Sequence, residues 1–276
     1  MTHPHATTPE GEAGLAALTA DPAHALVATD FDGTLSPIVA DPAAAIAVDG
    51  AAVALTRLAR LVGTVAIITG RPAEDAVALG GFAGVPGLIV LGHYGAERFQ
   101  DGAVHAAVVP EGIATARAAL PGLLAAAGAP EGTRLEDKRT ALAVHTRQAA
   151  DPEAALALLR EPLARLAADS GLVVEPGRLV LELRPPGTDK GATLHALAAE
   201  RGARAVLYCG DDLGDLAAFA ALRDLRGAGV AGCAVASRSP EAPEVAAAAD
   251  LVVDGPPGVV RLMNGLADTL EAEHTS

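Results

Sequence analysis

Asp30 and Asp32 stand two residues apart at the end of a short apolar run, Leu26-Val27-Ala28-Thr29, and Gly33 and Thr34 follow at once. Two carboxylates so close repel unless a cation lies between them or one is protonated. A divalent metal relieves that repulsion, and phosphate is the ligand that commonly accompanies Mg²⁺. A plainer possibility is a strand followed by an Asp-Gly turn. Three further groups stand at comparable places: Thr69 after Thr64 to Ile68, Lys190 after Asp189, and Asp211, Asp212 and Asp215 after Ala205 to Cys209. Together they suit phosphoryl transfer, where catalysis is mostly positioning and neutralisation of charge. A carboxylate can be the nucleophile, and a second can move the proton of the leaving oxygen and of water. Hydroxyl and ammonium groups supply donors to the phosphoryl oxygens, and the acidic cluster suits a hard cation. Taken singly, Asp-Lys-Gly at 189–191 is also a plausible helix cap and Gly-Asp-Asp at 210–212 a plausible turn.

The elements that must position these groups follow from periodicity. Leu26 to Ala28, Thr64 to Ile68, Leu88 to Leu91, Ala205 to Cys209, Cys233 to Ala236 and Leu251 to Val253 read as buried strands. Helices are expected near Gly14 to Thr19, over Gly50 to Val62, Ala73 to Leu79 and Lys190 to Glu200, up to Leu222, after Pro240, and from Pro256 to Leu270. Alternating strands and helices at this spacing predict a parallel sheet with right-handed crossovers. Ligands then bind at the carboxyl ends of its strands. Between Asp101 and Pro185 the pattern changes. Val104 to Val109 alternates weakly, and an Ala- and Leu-rich stretch, Glu111 to Ala127, is interrupted by Pro121. Two hairpins, across Lys138-Arg139-Thr140 and Pro176-Gly177-Arg178, flank a helix capped by Asp151-Pro152. This predicts an α+β module inserted into the sheet, with a tail over 1–24, a core over 25–102 and 186–276, and the insert over 103–185.

The sequences D-F-D-G-T at 30–34, I-I-T-G-R-P at 67–72, D-K-G at 189–191 and G-D-D-L-G-D at 210–215 occur in that order. The set resembles the four motifs of the haloacid dehalogenase-like phosphatases. Within them the chain is most similar to the trehalose-6-phosphate phosphatases, through G-H-Y-G-A-E at 92–97, E-D-K at 136–138 with H-T-R at 145–147, and E-L-R-P at 182–185 before the D-K-G. The resemblance spans roughly Leu26 to Leu270. It implies a Rossmann-like α/β core with an α+β cap and an aspartyl-phosphate mechanism. Asp30 would be the nucleophile and Asp32 the general acid/base, with Thr69 and Lys190 on the phosphoryl group. Mg²⁺ would be held by Asp30, the Asp32 backbone carbonyl and Asp211. Substrate contacts would come from Gly70, Arg71, His93, Glu136, Lys138, Arg147 and Glu182. A solvated charged hairpin is the other reading of the last four. Where the family often reads G-D-D-x-T-D-E, this chain has Gly214 and Leu216, which leaves the support around the metal site open. Other sugar-phosphate phosphatases, a phosphomutase or a non-catalytic sugar-phosphate sensor are the rival readings.

Composition narrows the partners. The formal net charge of −14 over 276 residues argues against nucleic acid. It also makes binding of a phosphorylated small molecule depend on a local cluster of cations. Of the 20 basic residues only Lys138 and Lys190 are lysines, so a compact ammonium is placed at two motif positions and nowhere else. No apolar run is long enough for a membrane span, residues 1–24 lack the pattern of a signal peptide, and Cys209 and Cys233 lie in strand-like segments. These features point to buried thiols in a reducing cytoplasm. A monomer is the simplest expectation, with no feature of the sequence fixing it.

Overall fold

The computed structural model describes residues 6–39, 41–106, 109–239 and 242–274. The chain divides into two compact units, residues 1–105 with 189–276 and residues 106–188. In chain order the first unit begins with α1 (Pro9–Ala20), β1 (Ala25–Thr29), α2 (Ala51–Leu58), β2 (Thr64–Ile68), α3 (Ala73–Gly80), β3 (Ile89–Gly92), β4 (Glu97–Gln100) and β5 (Ala103–Ala106). The second unit holds α4 (Glu111–Ala126), β6 (Arg134–Asp137), β7 (Leu142–His145), α5 (Pro152–Asp169), β8 (Val173–Gly177) and β9 (Val180–Arg184). The first unit then resumes with α6 (Lys190–Arg201), β10 (Ala205–Gly210), α7 (Asp215–Gly227), β11 (Ala231–Ser237), α8 (Pro243–Ala248), β12 (Leu251–Val253) and α9 (Gly255–His274).

In the first unit, eight strands form one sheet in the order β12-β11-β10-β1-β2-β3-β4-β5. The six from β12 to β3 run parallel, and β4 is antiparallel to β3. Every residue of β1, β2 and β10 is buried, which is why these segments read as unbroken apolar runs: helices cover both faces. Alternate residues feed two cores. Val27, Ile67 and Leu207 pack with Leu15 and Leu18 of α1, Leu55 and Leu58 of α2, and Met263 and Leu266 of α9. Leu26, Ile68 and Val206 pack on the other face with Leu194 and Leu197 of α6 and Phe219 and Leu222 of α7. The sheet is an α/β sheet wound outward in both directions from β1 and β10, the topological switch at which such sheets bind ligands.

Two differences from the sequence reading have plain causes. The helix expected near Gly14 to Thr19 begins at Pro9 and puts Leu15 and Leu18 into the core, so the segment read as a tail carries structure. Thr8 caps it by accepting from Gly11 N–H at 3.1 Å. β4, with the polar sequence Glu-Arg-Phe-Gln, had no apolar run to reveal it. Pro240 and residues 107–108, named in the expected helix and strand, lie outside the described residues.

The second unit has an antiparallel sheet in the order β6-β7-β9-β8. Leu142 and Val144 of β7 and Leu181 and Leu183 of β9 pack with Ile113 and Leu120 of α4 and Leu156, Leu159 and Leu163 of α5. α4 runs through Pro121 without ending. The intervening residues face away from that core, as the twofold strand period requires. Glu136 lies opposite Ala143, Ala143 opposite Glu182 and Glu182 opposite Glu175, one row across all four strands.

Candidate active site

Strand register brings the sequence-distant groups of the first unit to one edge. Thr29 is level with Ile67 of β2 and Cys209 of β10, so Asp30, Thr69 and Asp211 fall within two residues of one level at the strands' carboxyl ends. Asp30 N–H continues the ladder by donating to Cys209 O at 2.8 Å. The Asp30 carboxylate is 4 % exposed and accepts from Phe31 N–H at Oδ1 (2.6 Å) and from Lys190 Nζ at Oδ2 (2.7 Å). Lys190 is the first residue of α6, whose cap Asp189 accepts from Ala192 N–H at 2.8 Å. Its buried ammonium also donates to Asp215 Oδ1 at 2.8 Å and Asp212 Oδ1 at 3.3 Å.

Asp215 is the anchor of this arrangement. It is fully buried and takes, besides Lys190, the Tyr208 hydroxyl at 2.7 Å and the backbone N–H groups of Asp211 and Asp212 at 2.8 and 3.0 Å. A Cβ on Gly210 would overlap the Asp215 side chain, which explains the glycine of the Gly-Asp-Asp run. Gly33 has φ +69°, and a Cβ there would overlap the Asp211 carboxylate, so the Asp30 loop and the Asp211 loop touch only because residue 33 is glycine. Thr34 Oγ1 donates to Asp211 Oδ1 at 3.1 Å, and Ser237 Oγ to Gly33 O at 2.7 Å.

Charge is unbalanced here. Asp30, Asp211, Asp212 and Asp215 surround one ammonium. Burial raises Asp30 well above the usual carboxylate range against the pull of Lys190. Asp211 is pushed up to about 7, by burial first and then by Asp215 and Asp212. Asp215 is raised by burial, while Asp212 is held below its ordinary value by Lys190 and its hydrogen bonds, against its own burial. All donors are hard oxygens, and negative charge exceeds positive, so the site fits a divalent cation. One oxygen each from Asp30, Asp212 and Asp215 lies within 4.8 Å of the others. That set differs from the expected Asp30, Asp32 and Asp211, because Lys190 draws Asp212 and Asp215 toward itself.

Asp32 turns outward. Its carboxylate accepts a two-point bond from Arg71, Nε at 2.6 Å and Nη2 at 2.5 Å. Arg71 is further held by Pro42 O at 2.8 Å and lies over the Phe31 ring. Thr69 is buried, with its Oγ1 accepting from Arg71 N–H at 3.2 Å. Gly70 and His93 pack beside it: His93 Nδ1 is 3.2 Å from Gly70 O, and a Cβ on Gly70 would press on the Tyr94 hydroxyl. Asp30, Asp32, Thr69, Gly70, Arg71, His93 and Asp211, just beyond their strands, and Lys190, at the start of α6, are thus all at one sheet edge. Tyr208, Asp212 and Asp215 complete the constellation. The repeated aspartates had signalled the last two, but a tyrosine inside an apolar strand carries no such signal.

In the second unit, Glu182 is buried and bonded to Lys138 Nζ at 2.5 Å. Glu136 is bonded to His145 Nε2 at 2.8 Å, and Glu175 to Arg184 Nη2 at 2.8 Å. Arg147 lies exposed in the turn after β7. Carboxylates can accept hydrogen bonds from a polyhydroxyl ligand, and the nitrogen groups beside them can donate.

A parallel sheet with a nucleophile-like aspartate at its switch point, an inserted α+β unit and a lysine-bridged aspartate cluster define a haloacid dehalogenase-like fold. The solved structures agree. A trehalose-6-phosphate phosphatase from Aspergillus fumigatus superposes with a TM-score of 0.71 at 24 % identity, covering 96 % of this chain and all of that one. A haloacid dehalogenase-like hydrolase from Bacteroides thetaiotaomicron gives 0.63 at 18 %, covering 91 % and 99 %. The trehalose-phosphatase family profile matches residues 28–257, and the chain belongs to that family. A trehalose-phosphate phosphatase of Mycobacterium avium is 38 % identical over 90 % of this chain and 63 % of its own length. A probable trehalose-phosphate phosphatase of Sinorhizobium fredii is 33 % identical over 79 % and 81 %. The chain therefore spans about two thirds of the mycobacterial relative. Among the described residues no helix is long and apolar enough to cross a membrane.

Proposed function

We propose that this protein is a Mg²⁺-dependent phosphatase that hydrolyses trehalose 6-phosphate to trehalose and phosphate in the cytoplasm. The observation that carries the reading is the 2.7 Å contact of Lys190 Nζ with Asp30 Oδ2 at the sheet's switch point, in a chain of the trehalose-phosphatase family. An Asp30 oxygen attacks phosphorus and the bond to the sugar oxygen breaks. Asp32 gives its proton to that oxygen, freeing the sugar and leaving an aspartyl-phosphate. Asp32 then takes a proton from water, which attacks phosphorus and releases phosphate from Asp30. Arg71 orients Asp32 through its two-point bond. Lys190 and Thr69 donate to the phosphoryl oxygens. Asp30, the Asp32 carbonyl and Asp211 are the residues that would hold Mg²⁺, as the family resemblance implies. The ion supplies further neutralisation of phosphoryl charge. Glu136, Lys138, Arg147 and Glu182 are the proposed sugar contacts.

The test is phosphate release with Mg²⁺ from trehalose 6-phosphate, sucrose 6-phosphate, glucose 6-phosphate, mannose 6-phosphate and an aryl phosphate. Strong preference for the first supports the full assignment. Hydrolysis of the aryl ester alone would keep the phosphatase chemistry and sink the sugar assignment.

A further inference from the structure

The turn Thr69-Gly70-Arg71 has each of its three carbonyls held from one side by two residues. Tyr94 N–H donates to Thr69 O at 2.9 Å and His93 N–H to Arg71 O at 2.9 Å. The middle carbonyl, Gly70 O, lies 3.2 Å from His93 Nδ1. A carbonyl only accepts, so Nδ1 carries the proton and donates. His93 and Tyr94 reach these positions because both adopt left-handed backbone, φ 48° and 57°, a conformation in which Asn, Asp and His are enriched among residues with side chains. Glu97, itself buried, accepts from Ala73 N–H at 3.1 Å and places Oε1 4.0 Å from His93 Nε2 on the far side of the ring.

Gly70 C=O and Arg71 N–H belong to one planar peptide unit. Holding the oxygen toward His93 therefore aims the N–H the other way, where it donates to Thr69 Oγ1 at 3.2 Å. A threonine hydroxyl that accepts there keeps its own hydrogen for another acceptor. The same peptide begins Arg71, whose guanidinium holds Asp32.

We propose that His93 is a positioning residue for phosphoryl transfer, not a sugar contact: its Nδ1–H fixes the Gly70–Arg71 peptide plane, and through it sets the Thr69 hydroxyl and the Arg71–Asp32 pair. This rests on the phosphatase reading above. The test compares His93→Leu, which removes the donor, with His93→Asn, which keeps a short amide and tolerates left-handed backbone. Both are assayed on trehalose 6-phosphate and on an aryl phosphate. The leucine variant is expected to lose kcat by about a hundredfold on both esters, the scale of a misplacement near 1 Å, while the asparagine variant stays within about threefold of the wild type. Should the leucine variant fail to fold, His93→Gln, which displaces the amide by one carbon, must show the same loss. Unchanged kcat in these variants, a loss confined to trehalose 6-phosphate, or no rescue by asparagine would overturn the proposal. A crystal structure of the leucine or glutamine variant gives a readout that needs no turnover. The Gly70–Arg71 peptide is expected to be rotated, and an unmoved peptide refutes the inference even if the wild type proves not to be a phosphatase.

Discussion

Replacing Lys190 by methionine keeps the length and packing of the side chain and removes one positive charge from contact with three carboxylates at 2.7, 2.8 and 3.3 Å. Lys190 is 3 % exposed, so water cannot take its place without opening the site. Removing one partner from a buried charged cluster destabilises by about 3–5 kcal/mol. At about 2–4 °C per kcal/mol for a unit of this size, the melting temperature should fall by about 6–20 °C near pH 8. The loss should depend on pH in a definite direction. Asp30 and Asp215 are raised by burial, with Lys190 the chief opposing influence; without it both rise further. A carboxyl raised in the folded state keeps a proton that the unfolded chain sheds above about pH 4. The variant therefore gains stability as pH falls, and the difference from the wild type narrows toward pH 5. Thermal melts of both proteins with a chelator present, near pH 5.5 and near pH 8, measure this. A melting-temperature loss of equal size at both pH values, or none, would refute the reasoning.

Asp30→Asn should fold, bind trehalose 6-phosphate by calorimetry and release no phosphate; turnover above a few per cent would remove Asp30 from the nucleophile role. Glu182→Ala deletes the buried partner of Lys138 and should lower kcat/KM for trehalose 6-phosphate by about ten- to a hundredfold; an equal loss on an aryl phosphate would show that Glu182 is no sugar contact. Asp250 is held below its ordinary value, against its burial, by Ala234 N–H, Thr8 and Arg226. Its contribution is present above about pH 4 and disappears as pH falls through its folded-state value. Asp250→Asn should cost about 1.5–3 kcal/mol at pH 7, and the gap from the wild type should close in acid; a pH-independent gap in chemical denaturation would count against this account.

The parts of the fold that announced themselves are those where one interaction dominates. β1, β2 and β10 are buried on both faces, so their sequences are almost wholly apolar, and each leads directly into a residue of the site. Two motif positions, one in a charged hairpin and one at the start of α6, were legible because Lys138 and Lys190 stand out in a chain that otherwise uses arginine. Three features were not. The start of α1 at Pro9 is one: the segment has two leucines among alanines and glycines, too few for a stripe to mark where the helix expected near Gly14 to Thr19 begins. β4 is specified by pairing with β3 rather than by hydrophobicity. The roles of Tyr208 and Asp212 depend on which residue faces a lysine from another element, and spacing along the chain does not encode that.

The chain contains two tyrosines and no tryptophan, and both tyrosines lie at the sheet edge that carries the aspartate cluster. Tyr208 gives its hydroxyl to Asp215 and sits edge-on to Phe219, while Tyr94 closes on the Thr69 turn. Under excitation at wavelengths where phenylalanine is silent, the intrinsic emission therefore comes from the same sheet edge as the aspartate cluster.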